Sequence, residues 1–159
     1  MQNVCIQKPH YKQEKSYTCV PASVRMILAF YVIDRNESYL VRILKTKLYG
    51  TNVYNIEYIE DERLGLKVSI RFFSLDELKR IISQNQPCIV PLRTKYLSYF
   101  PYDCLHTLVV IGYDDAGNIL VNDPNFDEEI ISIKESEFIE AWAESDGLVI
   151  LIEKENRFE

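Results

Sequence analysis

The sequence predicts an α+β fold in which a central N-terminal helix packs against a twisted antiparallel sheet. Three observations predict it. Residues 19–31 are apolar on every side and carry one charge, Arg25, which is typical of a buried helix. The C-terminal half consists of short apolar runs separated by turn residues, which indicates strands. Residues 114–118 (DDAGN) are turn formers between two of these runs and predict a hairpin.

The predicted helices have recognisable starts. The first begins at about Cys19, because Thr18 can act as its N-cap and Pro21 is tolerated in a first turn. Ser74 and Glu77 form a capping-box pattern. That pattern opens a helix at 75–84. The other predicted helices are one after Asn36 with Leu40, Ile43, Leu44 and Leu48 along one side, a weaker candidate at 53–63, and a last helix at 134–143.

The predicted strands lie mostly in the second half of the chain. Each is a short run rich in β-branched and other apolar residues, bounded by turn residues. No repeat, low-complexity stretch or linker divides the chain, so residues 1–159 are predicted to form one domain. The predicted strands are 67–73, 88–92, 106–113, 119–122, 130–133 and 148–152.

Composition excludes several classes of partner. The net charge of −6 argues against nucleic acid, whose phosphates select basic surfaces. No apolar run approaches the ~20 residues of a membrane span, and residues 1–17 are too polar for a signal peptide. We therefore expect a cytoplasmic protein with reduced thiols and no membrane contact. The sequence leaves the oligomeric state open.

Cys19 is the candidate nucleophile among four cysteines. It lies at the predicted start of the buried helix, where unpaired N–H groups and partial positive charge favour a thiolate. Cys88 lies inside a predicted strand and Cys5 in the N-terminal segment, so neither has this setting. Cys104 and His106 share a strand face, but zinc needs about four ligands and the chain supplies no second pair. We predict no metal and no cofactor.

Three further residues could assist the thiol. His106 opens a predicted buried strand, which would hold its imidazole rigidly. Asp123 ends the strand that the hairpin pairs with it, and so can orient the imidazole. Gln13 precedes Cys19 by six positions, and its amide could form an oxyanion hole with the backbone N–H of Cys19.

At these motifs the chain resembles the peptidase C39 and C39-like families of the papain-like cysteine peptidase superfamily. The resemblance rests on Gln13-x5-Cys19, on residues 21–23 (PAS), on residues 106–113 (HTLVVIGY) and on residues 122–124 (NDP), and it extends over about residues 13–153. It implies a papain-like fold, with Gln13 in the oxyanion hole, Cys19 as nucleophile, His106 as base and Asp123 as orienting residue.

Two features depart from the family pattern. Val20 stands where the family commonly has Gly, and its branched side chain is expected to narrow the cleft. The best-known members precede membrane exporters and cut leader peptides after paired glycines, whereas here we expect no attached transporter. The resemblance therefore implies a free-standing peptidase acting on a peptide or protein substrate.

Two other functions are compatible with the same residues. An acyltransferase would use the same thioester intermediate and pass it to an amine instead of water. A peptide-binding module could keep the fold without turnover; the presence of all four residues argues against it, and Val20 argues for it.

The aromatic stretch before His106 is predicted to contact substrate. Its side chains are Tyr96, Tyr99, Phe100 and Tyr102. They could form a lip that grips an extended peptide, or they could cap the core.

Overall fold

A computed structural model describes residues 3–155, and within them a seven-stranded antiparallel sheet forms the centre of the fold. The order across the sheet is β2–β7–β3–β4–β5–β6, and β1 pairs with β4. The strands are β1 (Val4–Cys5), β2 (Leu66–Phe72), β3 (Cys88–Arg93), β4 (Leu105–Tyr113), β5 (Ile119–Asn122), β6 (Ile131–Ile133) and β7 (Leu148–Lys154).

Within residues 3–155, four α-helices accompany the sheet, and the first is buried against it. The helices are α1 (Cys19–Phe30), α2 (Glu37–Ile43), α3 (Leu75–Ser83) and α4 (Glu135–Ala143). Helix α1 packs on β4, with eight of its twelve residues buried. This burial explains the apolar sequence on all sides of α1 and confirms the predicted α+β arrangement.

Most predicted elements are confirmed with bounds shifted by one or two residues. Helix α1 begins at Cys19, both halves of the Ser74–Glu77 capping box are present, and β5 has the predicted bounds. The weaker candidate is a 3₁₀-helix, Val53–Glu62. Strand β1 and a short 3₁₀-helix, Thr94–Tyr96, have no counterpart in the prediction, because segments of two or three residues carry no periodic signal.

The predicted position of Leu48 on the second helix is wrong. Helix α2 ends at Ile43, because Lys45 adopts a left-handed backbone conformation with φ of 58°. Residues 47 and 50 then close a turn through paired backbone hydrogen bonds. Leu48 lies in this turn and is 83% exposed.

Gly112 lets the N-terminal segment cross closely over β4. A Cβ atom at this position would lie 1.9 Å from the carbonyl oxygen of Val4, so any other residue would push β1 away. Strand β1 is the starting point of the segment that runs to Cys19. Within residues 3–155, no helix is long and apolar enough to cross a membrane.

Candidate active site

Cys19 is the first residue of α1, and its side chain is half-buried. No side chain caps this helix end, because the hydroxyl of Thr18 bonds instead to the backbone N–H and carbonyl of Lys15 at 3.0 and 2.9 Å. The first turn also contains no acidic residue. The partial positive charge of the helix end is therefore not neutralised beside the thiol.

His106 and Asp123 form a buried pair joined by a short hydrogen bond. Strands β4 and β5 pair antiparallel with Val109 opposite Asn122, which places Asp123 diagonally across from His106. The distance from His106 Nε2 to Asp123 Oδ1 is 2.6 Å. His106 is 5% exposed and Asp123 is fully buried. Because Nε2 is engaged by the carboxylate, Nδ1 is the ring nitrogen left for a second partner.

The environment of His106 favours its protonated form. Burial alone would lower the pKa of His106, but hydrogen bonding to Asp123 and to Cys19, together with the negative charges of both groups, outweighs it and raises the pKa to about 10. The imidazole therefore carries its proton at neutral pH. An imidazolium next to Cys19 is the arrangement that this electrostatic balance supports.

Gln13 lies on the segment that leads into α1. Its backbone N–H donates to the carbonyl oxygen of Pro124 at 2.7 Å, which ties this segment to the residue that follows Asp123. Its side-chain amide donates to the carbonyl oxygen of Lys15 at 2.8 Å. Among the described residues, its buried Oε1 has no hydrogen-bond partner.

The aromatic stretch lies behind the His106–Asp123 pair and does not line the groove described below. Phe100 packs against the imidazole with ring centroids 4.8 Å apart, and the hydroxyl of Tyr99 donates to Asp123 Oδ2 at 2.6 Å. Tyr102 is 53% exposed and packs edge-on against Phe100. This placement favours the alternative that Tyr99 and Phe100 cap the core, and Tyr96 also lies off the groove.

An open groove of about 510 Å³ runs past Cys19 and His106, and we call it the Cys19 groove. Its walls come from the N-terminus of α1, the turn after α2, strands β3 and β4, and the end of α4. The turn after α2 and the end of α4 carried no sequence signal of a site. The lining residues are Ser16, Tyr17, Cys19, Val20, Tyr49, Gly50, Thr51, Asn52, Val53, Pro91, Leu92, Leu105, His106, Thr107, Glu144, Ser145 and Leu148.

The central helix on an antiparallel sheet is the papain-like α+β fold of thiol peptidases. The comparisons with known proteins give the family. The family model described as "Peptidase_C39 like family" matches residues 5–150. The chain belongs to the C39-like peptidase family. No curated protein sequence matches the chain significantly.

Three solved structures share the fold at low sequence identity. A C39-like peptidase from Bacillus anthracis superposes with a TM-score of 0.81 at 16% identity, covering 99% of this chain and all of the other. The peptidase domain of Streptococcus ComA, a bifunctional ABC transporter, gives 0.74 at 20% identity, covering 92% and 98% of the two chains. A double-glycine-motif protease from an AMS/PCAT transporter, in complex with a leader peptide, gives 0.73 at 19% identity, covering 97% and 99%. The predicted fold is thereby confirmed.

Proposed function

We propose that this chain is a cysteine peptidase that hydrolyses peptide bonds, with Cys19 as nucleophile, His106 as acid and base, and Asp123 as the residue that orients the imidazole. The observation that carries the proposal is the buried 2.6 Å pair of His106 and Asp123 beside Cys19 in an open groove. Each residue type fits its role, and all three meet although they come from separate elements of the chain.

The reaction begins from the thiolate of Cys19 and the imidazolium of His106. The thiolate attacks the carbonyl carbon of the scissile peptide bond, and the carbonyl electrons move onto oxygen. The C–N bond then breaks, and His106 gives its proton to the leaving amine. Asp123 keeps the ring in place and stabilises its positive charge. Water, deprotonated by the neutral His106, hydrolyses the thioester and restores the ion pair.

Gln13 is proposed to stabilise the oxyanion. The tetrahedral intermediate carries negative charge on oxygen, which a side-chain N–H of Gln13 and the backbone N–H of Cys19 would bind. Two observations support the role. The amide of Gln13 is half-buried and uses one recorded hydrogen bond, and the backbone bond to Pro124 ties it to the segment that carries Asp123.

The proposed substrate is a peptide or a protein segment lying extended in the Cys19 groove. The structure of the double-glycine-motif protease with a leader peptide supports a peptide ligand for this fold. Val20 lines the groove next to the nucleophile, where its branched side chain limits the space. Tyr102 remains a candidate contact for substrate, because it is 53% exposed and packs on Phe100, which in turn packs on the His106 ring.

Thiol labelling tests the proposal without knowledge of the substrate. An ordinary thiol, with a pKa of about 8.5, reacts slowly with iodoacetamide at about pH 6, whereas an ion-paired thiolate reacts quickly. We expect Cys19 to label faster than the exposed Cys5 in the same molecule, and His106→Ala to slow Cys19 by about tenfold to a hundredfold while leaving Cys5 unchanged. Equal rates at Cys19 and Cys5 would contradict the proposal.

Hydrolysis is then tested with a peptide library digested by the wild-type chain and by Cys19→Ala in heavy-oxygen water. A peptidase gives cleaved products that carry the heavy oxygen at their new C-termini, and Cys19→Ala gives none. Products joined to added amines would indicate an acyltransferase. Fast labelling without either product would indicate a peptide-binding module.

A further inference from the structure

Asp123 accepts three hydrogen bonds although no water can reach it. Oδ1 accepts from His106 Nε2 at 2.6 Å and from the backbone N–H of Asn125 at 2.9 Å. Oδ2 accepts from the hydroxyl of Tyr99 at 2.6 Å. Within the described part of the chain, Oδ2 accepts no other hydrogen bond. A fully buried carboxylate oxygen needs a hydrogen-bond donor, and Tyr99 supplies the donor for Oδ2.

The ring of Tyr99 is held in place from several sides. It packs on Phe126 with centroids 5.4 Å apart and on Phe100 with centroids 6.1 Å apart. The preceding backbone N–H, that of Ser98, donates to the carboxylate of Glu137 at 2.8 Å. Both the ring and the backbone are therefore fixed, and the hydroxyl is directed at Asp123 by the surrounding structure.

The hydroxyl of Tyr99 keeps its proton and acts as a donor. Burial, the negative charge of Asp123 and the hydrogen bond to it all raise the pKa of Tyr99. A neutral donor withdraws part of the negative charge of the carboxylate that it binds. The same carboxylate attracts the proton of His106, so Tyr99 and His106 compete for its charge.

We propose that Tyr99 is a positioning residue, whose hydroxyl fixes the Asp123 carboxylate and weakens its hold on the His106 proton. The inference rests on the proposed function of His106 and Asp123. A carboxylate fixed at both oxygens holds the imidazole in one orientation, with Nδ1 toward Cys19. A weaker hold lets His106 release its proton to a leaving amine. In this proposal Tyr99 acts through Asp123.

Several charged or titratable groups lie near the pair, and Lys8, whose Nζ donates to Asn122 Oδ1 next to Asp123, is one of them. Cys19 faces His106 from α1, and Asp123 faces it from the end of β5. Tyr99 faces Asp123 from the segment before β4, as does Tyr102, which also lies near Cys104 and Cys19. Within residues 3–155, two side chains donate hydrogen bonds to Asp123, those of His106 and Tyr99.

A purely structural role for Tyr99 predicts the opposite change in His106. If Tyr99 served only as packing, its loss would loosen the site and admit water, which would bring the His106 pKa down toward the ordinary value of about 6.5. Loss of a donor to Asp123 instead leaves more negative charge facing the imidazolium. The proton affinity of the His106–Asp123 pair then rises.

The titration of His106 tests the proposal directly. The chain has two histidines, so imidazole nitrogen NMR resolves His106 from His10, and Cys19→Ala as common background removes the thiolate charge. We expect Tyr99→Phe to raise the His106 midpoint by about half a pH unit, roughly a threefold gain in proton affinity. The matched control is Tyr39→Phe. It also removes a hydrogen bond from a tyrosine hydroxyl to a carboxylate, in this case that of Glu62. It should leave His106 unchanged.

A second substitution keeps the test decisive if Tyr99→Phe does not fold. A ring-fluorinated tyrosine at position 99 preserves shape and is a stronger donor, so it should lower the His106 midpoint. In an Asp123→Asn background, Tyr99→Phe should have no further effect, because the carboxylate through which Tyr99 acts is gone. A midpoint that falls or stays constant in Tyr99→Phe overturns the proposal. The NMR titration is made without the Cys19 thiol and measures no turnover. A negative result would therefore overturn the role of Tyr99 without deciding the labelling test on Cys19.

Discussion

Cys19 and Cys88 carry the same thiol in two regions of different character, the Cys19 groove and the interior of β3. Cys88 is fully buried in the sheet, and its thiol donates to the carbonyl oxygen of Gln86 at 3.5 Å. Burial and the negative charge of Glu153 raise the pKa of Cys88. Cys19 instead lies at an uncapped helix end against the imidazolium of His106. From this difference in position we predict that Cys19 reacts and Cys88 does not.

The largest expected effect comes from removing each thiol by a Cys→Ala substitution. We expect Cys19→Ala to lower peptide cleavage by a factor of about 1,000 or more, because the nucleophile is lost. Cys88→Ala should keep cleavage within about twofold and lower the free energy of unfolding by about 1 kcal/mol. Cleavage assays and denaturant titrations measure both. Comparable cleavage by the two variants would show that the thiol in the Cys19 groove is no more important for the reaction than the thiol inside β3.

Asp123→Asn is expected to lower kcat by a factor of about 100 to 10,000, since the imidazole loses its charged orienting partner. The change should also lower the pKa of His106, because burial still opposes protonation while the negative charge of Asp123, which favours protonation, is lost. Imidazole NMR measures the pKa, and cleavage assays measure kcat. Asp127→Asn, on an exposed carboxylate of the following loop, is the control and should change neither quantity.

Gln13→Ala separates the two kinds of chemistry at Cys19. We expect kcat for peptide cleavage to fall by a factor of about 100, because one oxyanion donor is lost. Alkylation of the thiol forms no oxyanion, so the labelling rate at about pH 6 should not change. Gln84→Ala, on the exposed end of α3, controls for the substitution itself. A parallel fall in labelling would assign Gln13 to the thiolate instead.

The pH dependence of stability tests the same two regions without a turnover assay. The pKa of His106 is about 10 in the folded chain and about 6.5 in an unfolded one. The resulting stabilisation is complete below about pH 6.5 and is lost as the pH rises through about 10. Labelling of Cys88 reports opening of the core. We therefore expect His106→Ala to accelerate Cys88 labelling more at pH 6 than at pH 10, whereas Leu92→Ala should accelerate it equally at both.

Local sequence signals were sufficient for the outline of the fold. The all-apolar pattern of α1, the Ser74–Glu77 capping box and the turn residues at 114–118 each act over a few neighbouring residues, so their consequences can be inferred without a structure. The hairpin also brings His106 to Asp123, because antiparallel pairing fixes which strand ends meet. The family resemblance rested on other short motifs, at residues 13–19, 21–23, 106–113 and 122–124.

Contacts between distant segments were decided only by the tertiary structure. The sequence left open whether Tyr99 contacts substrate or caps the core, and it gave no sign that the Tyr99 hydroxyl donates to Asp123, 24 positions away. The turn that carries Tyr49 and the end of α4 that carries Glu144 complete the Cys19 groove without a motif of their own. Helix and turn signals reflect backbone preferences over a few residues, whereas the partner of a buried side chain depends on the packing of the whole chain.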